Sequence, residues 1–285
     1  MFKTSKKRLN RKIGGDIAIF IFLALVGAFM LLPFVYSIVQ SIKPMSEIFI
    51  FPPRFFVRDP TLENFSSLFQ MVNTAWVPFL RYLFNSLFVS LVATAAHVIL
   101  ASMAAFPLAK FKFPGSNLLF QIIVVSLLFT TEVTALPLYI VMAELHLIDT
   151  YMALIFPAIG ASLGLFLMKQ FMTSIPDSMI EAARVDGAKT FYIFWKIVMP
   201  NVKPAWLTCV IFAFQSIWNN DGAQFIYDEA YKTLPTLFRQ ISEGGIARAG
   251  VSAAAAVLLM IPPIVIFVAS QGQVMETMAH SGMKD

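Results

Sequence analysis

Side chains equipped for bond chemistry are few in this sequence and badly spaced for it. His97, His146 and His280 stand far apart, and none belongs to a nucleophile or metal-ligand motif. The single cysteine, Cys209, sits inside an apolar run, so it has no internal disulfide partner and reads as packing. No glycine-rich phosphate loop of the Walker type occurs, which assigns any nucleotide hydrolysis to another chain. What remains is non-covalent. Asn85, Gln215, Trp218, Asn219 and Asn220 lie in or at the ends of apolar stretches, where polar groups are costly and face a partner or a cavity. Hydrogen bonding between helices is the preferred account of any one of these residues. Glu132, in the outer half of an apolar run, is suited to lining a pathway or relaying a proton. His97, among Ala and Val, reads as a packed, hydrogen-bonded residue.

The elements that position these groups are set by the solvent. The 285 residues are 58% hydrophobic and 13% charged, with a mean hydropathy of +0.76, which excludes an ordinary soluble domain. Apolar runs recur near the length a helix needs to cross the hydrocarbon core. They predict an all-α, polytopic membrane protein with about six spans, 17–42, 79–106, 118–140, 152–171, 202–218 and 251–271, between a basic tail, 1–16, and a second tail, 272–285. The first run is too long for a signal peptide and lacks a small-x-small cleavage site, so it reads as a retained span. The net charge of +5 points to topology rather than nucleic acid, because the basic residues flank membrane segments. They are concentrated in Lys3–Lys12, at Lys110 and Lys112 and in the segment after 171, which places both termini in the cytoplasm. The outer loops 43–78 and 219–250 are long enough to meet an external partner.

The inner segment 172–201 is more than a connector. Ser174 is expected as an N-cap, Pro176 at an early helical position and Asp177 against the amino-terminal dipole. Gly187 is expected to stop that helix in a left-handed bend, and Thr190 to cap a second short helix, 191–198, which Pro200 breaks. Two short helices joined by a glycine bend present small alanines and the orienting charges Glu181, Arg184 and Asp186. An amphipathic helix lying in the lipid interface is the plainer alternative.

Glu181-Ala182-Ala183, three residues, Gly187, nine residues, then Ile197-x-Met199-Pro200 resembles the EAA signature of ABC importer permeases, with Met199 where leucine is usual. Lys43-Pro44-x-x-Glu47-Ile48, Thr61-Leu62-Glu63-Asn64-Phe65, the stretch 104–115, Trp218-Asn219 and Thr233-Leu234-Pro235 are similar to the carbohydrate branch, in particular to the shorter permease subunit of maltose-type importers. Phe106-Pro107 and Asn220, which moves Asp221 one step late, depart from that pattern. The resemblance implies a type I importer fold in a bacterial or archaeal inner membrane. It implies an ATPase-coupling surface made of Glu181, Ala182, Ala183, Arg184, Asp186, Gly187, Ile197 and Pro200. It also implies sugar contact by Asn85, Glu132, Gln215, Trp218, Asn219 or Asn220. The implied partners are a second homologous permease, two ABC ATPase subunits and an extracytoplasmic solute-binding protein, with ATP and magnesium held by the ATPases and no cofactor on this chain. A phosphorylated polyol is the alternative cargo. An ion-coupled secondary carrier is the alternative class, though it calls for several buried carboxylates and an internal repeat.

Overall fold

The computed structural model describes residues 13–73 and 77–281, so the basic cluster at the amino terminus and Lys284 lie outside the described residues. The fold is all-α. The helices are α1 (Ile13–Ser41), α2 (Met45–Ile48), α3 (Glu63–Asn73), α4 (Phe79–Lys110), α5 (Ser116–Ser126), α6 (Thr131–Glu144), α7 (Tyr151–Ile159), α8 (Ser162–Thr173), α9 (Asp177–Val185), α10 (Thr190–Ile193), α11 (Met199–Asn201), α12 (Lys203–Trp218), α13 (Leu234–Ser242) and α14 (Ala249–Ser281). Among the described residues four stretches are long and apolar enough to cross a membrane: Gly14–Ser41, Phe79–Lys110, Tyr151–Thr173 and Ile246–Gly272. Two bent pairs make up to six, Ser116–Ser126 with Thr131–Glu144 at 111° and Thr190–Asn201 with Lys203–Trp218 at 79°. The last helix continues past Gln271 to Ser281.

The corner between α5 and α6 interrupts the straight span expected over 118–140, although neither Pro nor Gly stands there. Leu127, Leu128 and Phe129 donate their N–H groups to Val124, Val125 and Ser126 at 3.2, 3.0 and 3.3 Å, a tightened last turn. The Ser126 hydroxyl takes the Ile123 carbonyl at 2.6 Å and also meets Ser162 on α8. Thr130 then starts α6 from extended backbone. The corner exists because its polar backbone groups are satisfied locally, as an apolar solvent requires.

By contacts the chain divides into two compact units, one ending at Leu68 and completed by Gly245–Val257, the other formed by Phe69–Gly244 and the chain from Leu258 on. The first unit is knitted by buried polar groups in the loop after α1. Lys43 Nζ donates to the Arg54 carbonyl at 2.7 Å, and the Asn64 amide donates to the carbonyls of Ser41 and Lys43 at 2.9 and 2.8 Å. The Glu47 carboxylate accepts the backbone N–H groups of Asp59 at 2.9 Å and Arg58 at 3.1 Å, and these bonds hold its pKa below the ordinary value.

The second unit is built around α4, against which α7, α8 and α12 pack. The buried face of α4 carries Ser86, Ser90, Ala93, Ala101, Ser102 and Ala105, small residues that let neighbouring backbones approach. Gly164 of α8 lies against both α4 and α12. Its carbonyl takes the Cys209 thiol of α12 at 3.6 Å, and the His97 ring lies directly over its Cα. His97 Nδ1 is 3.0 Å from the Ile159 carbonyl, one of the acceptors freed where α7 gives way to α8.

This crossing predicts a steric test. A Cβ at residue 164 would lie 2.1 Å from His97 Nε2, whereas one at Gly160 would meet nothing nearer than 3.7 Å. Gly164→Leu is expected to destabilise the bundle by about 1–3 kcal/mol. Its melting temperature in detergent should fall, while Gly160→Ala should melt with the parent protein.

Candidate functional site

Two features of the second unit could act on other molecules: the segment after α8, and a cavity beside α4. The segment is anchored by its apolar residues. Ile175, Ile180, Ile193, Phe194 and Val198 are buried in one cluster with Phe106, Met168, Met172 and Val202. Helix α9 therefore turns Ile180 and Ala183 inward and leaves Glu181, Ala182, Arg184 and Val185 outside. It ends where the sequence places the bend. Ala188 donates to the Ala183 carbonyl at 2.9 Å, Gly187 donates to the Arg184 carbonyl at 3.0 Å, and Gly187 has φ +81. That is a Schellman closure, which satisfies the last carbonyls and needs a residue at ease with positive φ.

Three local expectations are corrected; Thr190 does not cap the second helix but is its first residue, with Lys189 at the cap. Ser174 is not the N-cap; its hydroxyl turns back to the Phe171 carbonyl at 2.7 Å, and Pro176 occupies the cap. Pro200 does not end the second helix. A wide π turn over Phe194–Val198 opens the backbone ahead of it, and the helix runs on to Asn201. Proline lacks the N–H for the bond to the fourth preceding carbonyl, so a widened turn accommodates it. The change of direction falls at Val202, with φ −103 and ψ 25.

The segment is tied to α4 by one cation. Lys110, in the last turn of α4, donates to Asp177 Oδ1 at 2.7 Å and to the carbonyls of Ile175 and Thr173. The Lys110 hydrogen bond, then its charge, holds the Asp177 carboxyl below the ordinary 3.8. The Arg184 guanidinium lies over the Phe111 ring at 5.4 Å. What faces outward is a mixed surface in which Val185 is 87% exposed, flanked by Phe191 and Tyr192. A shallow groove there is lined by Ala183, Asp186, Gly187, Ala188, Lys189, Tyr192 and Ile197. Pro200 lies on the exposed side of its helix.

The cavity has a volume of about 440 Å³ and is walled by α4, α6, α7, α8, α12 and the chain after α12. Its polar lining includes Ser86, Ser90, His97, Thr131, Thr134, Ser216, Asn220, Gln224 and Thr233, with Phe129, Phe212, Trp218 and Phe225 among the aromatics. Of the polar residues expected from the sequence to meet a solute, Trp218 and Asn220 reach this wall, as does His97, which the sequence reads as packed. Trp218 Nε1 donates to the Leu259 carbonyl at 3.0 Å, and Asn220 Oδ1 accepts the Gly222 N–H at 2.9 Å. Gln215, Asn219 and Glu132 are exposed elsewhere on the helices. Asn85 is fully buried away from the cavity. Its amide donates to the carbonyls of Ala230 and Lys232 at 2.9 and 2.8 Å and its oxygen accepts from Tyr151 at 2.7 Å. Beside it, Tyr82 donates to Glu229 at 2.6 Å. Burial raises the Glu229 pKa, but Lys232 and Tyr82 together hold it below the ordinary value. Asn85 thus pins the loop after α12 to the start of α4. Among the described residues no three His, Cys, Asp or Glu side chains gather as a metal site.

Sequence reasoning missed Lys110, Val185, Ser90 and the other hydroxyls of the cavity. Lys110 and Asp177 are 67 positions apart, so no local pattern announces the pair. The serines carry a weak signal, since Ser86 and Ser90 recur at helical spacing within a strongly apolar run.

Known proteins resemble this chain along most of its length. The family model described as "Binding-protein-dependent transport system inner membrane component" matches residues 97–278. Protein LplC of Bacillus subtilis (strain 168) is 34% identical over 242 residues, covering 82% of this chain and 78% of that protein. The arabinooligosaccharides transport system permease protein AraQ of Halalkalibacterium halodurans is 31% identical over 207 residues, covering 70% of each. A chain of a bacterial ABC transporter involved in the import of the acidic polysaccharide alginate superposes with a TM-score of 0.75 at 22% identity, covering 93% of this chain and 99% of that one. That likeness shows the fold.

The tie at Lys110 predicts a local effect. In Lys110→Met, amide hydrogen exchange over residues 174–188 should quicken while exchange within α12 stays as in the parent. Because the Asp177 pKa is lowered on folding, the tie is fully made above the ordinary value of 3.8 and is lost as pH falls through the lower folded value. The same exchange should therefore stay constant from neutral pH down to that region and accelerate only below it, once corrected for intrinsic rates.

Proposed function

The chain belongs to the family of binding-protein-dependent transport system inner membrane components, and from that premise we propose that it forms one wall of the pathway of an ATP-driven sugar importer. A second, similar permease supplies the other wall. Two ATPase subunits on the cytoplasmic side bind and hydrolyse ATP with magnesium, and this chain performs no bond chemistry. The segment 174–200 lies on the cytoplasmic face, as do both termini, and an external binding protein delivers sugar to the loops 43–78 and 219–250.

The observation that carries this reading is the geometry of α9 and its closure. A rigid turn, anchored by Ile175 and Ile180 and tied to α4 by Lys110, presents Glu181, Ala182, Val185 and Asp186 outward. A helix lying flat in the lipid interface would turn its whole apolar face outward, whereas α9 buries Ile180 against the chain and exposes Val185 among Glu181, Arg184 and Asp186. ATP, by binding the closed arrangement of its subunits more tightly, would pull this knob and, through α4, the cavity wall. The name of the Halalkalibacterium relative supports an oligosaccharide cargo. Family membership removes the ground for an ion-coupled carrier.

Purification from native membranes should recover an ABC ATPase, a second multispan chain and a binding protein with this one; recovery of the chain alone contradicts the reading. Gly187→Val should reach the membrane in normal amount yet lose most ATP-dependent uptake, because a β-branched residue resists φ +81 although the space around it is open.

A further inference from the structure

We propose that the cavity beside α4 is a binding subsite for an uncharged glycoside, read chiefly through Ser90 and His97. This rests on the sugar-import reading above and adds the charge class of the cargo.

The case begins with two polar side chains that burial should have forced into partnership. Ser90 is 2% exposed and His97 3% exposed, and both line the cavity. The Ser90 hydroxyl has no hydrogen bond among the described residues. His97 Nδ1 is 3.0 Å from the Ile159 carbonyl, which can only accept, so Nδ1 carries a proton and, in the neutral imidazole, Nε2 is an acceptor. Nε2 lies over Gly164, which lines the same cavity, and has no hydrogen-bond partner among the described residues. Unpartnered polar atoms facing a cavity in an apolar bundle are normally met by a ligand or water.

The chemistry they offer matches alcohols. Ser90 can donate or accept and Nε2 can accept, which is what a row of sugar hydroxyls answers. The two residues are seven positions apart on one face of α4, roughly 10 Å along its axis, so they address different parts of a solute. Ser216 of α12 and Thr131 of α6 add hydroxyls from other walls, and Phe212 adds an apolar ring face. The volume of about 440 Å³ is within the range of small-molecule pockets.

The charge assignment follows from the same lining. Among the described residues that wall the cavity none is Asp, Glu, Lys or Arg. Asp221, next to Asn220, is neutralised by Arg239 at 2.5 Å, and Glu132, next to Thr131, is exposed; neither belongs to the wall. A phosphate or uronate entering here would surrender water and find no cation, a large cost in an apolar surround. Recognition of carboxylate or phosphate calls for the Arg or Lys that this wall lacks.

The test uses the complete transporter, co-purified with its partners and reconstituted in vesicles. A mixed plant and algal polysaccharide hydrolysate is split on an anion exchanger into a neutral and a uronate fraction, and ATP-dependent uptake is read by mass spectrometry of the vesicle contents. Uptake confined to the neutral fraction is the expected result. For the neutral oligosaccharide taken up best, Ser90→Ala and His97→Gln should each raise KM about tenfold at equal amounts of assembled complex. Uptake of uronates as good as or better than that of neutral sugars overturns the charge assignment and leaves the importer reading standing. An unchanged KM in Ser90→Ala, a substitution that leaves the helix intact, overturns the site. Absence of ATP-dependent uptake from either fraction overturns the importer reading and the subsite with it.

Discussion

The molecule depends on α4 staying in close contact with its neighbours along its buried length. Small residues on its buried face and Gly164 on α8 bring helix backbones together at distances where dispersion contacts are made on all sides and no side chain need be squeezed. Both ends of the same helix are then fixed by polar bonds. Asn85 and Tyr82 hold the loop after α12 at one end, and Lys110 holds the start of α9 at the other. A rod secured in this way passes a displacement from one end to the other, which is what a transporter worked by a remote motor needs.

A second constraint gives the breaks their form. Every interruption of a helix in an apolar surround must find donors for its freed carbonyls. His97 serves Ile159 at the α7 to α8 step, Ser126 serves Ile123 at the α5 to α6 corner, and Gly187 with Ala188 closes α9. The side chains that satisfy these breaks are therefore drawn toward the places where helices meet. His97 does both jobs, since it satisfies Ile159 with one nitrogen and holds the other over Gly164 in the cavity wall.

Features written in local residue patterns were legible in the sequence. The left-handed bend at Gly187 followed from glycine after a short amphipathic run, and the polytopic all-α class followed from the length of the apolar stretches. Features that arise between distant residues were not. The α5 to α6 corner has no breaker residue, because tightened turns and a serine do the work that Pro or Gly does elsewhere. Pro200, a breaker by its chemistry, sits inside a helix because a π turn precedes it. Asn85 looked no different in sequence from a solute ligand; only the arrival of Ala230 and Lys232 from far along the chain shows it as a fastening. Ser90 carries only the weak signal of its helical spacing from Ser86, which does not distinguish a cavity wall from a helix contact.

The central claim is that the outward surface of α9 meets the motor subunit, and the direct measurement is site-specific cross-linking in intact membranes. A photo-reactive residue in place of Val185, 87% exposed, should capture the ABC ATPase, with a yield that changes when ATP is added. The same residue in place of Phe20 on α1, 73% exposed along an apolar face, should yield no such adduct. Capture of lipid alone, or of the external binding protein, at residue 185 would contradict the account.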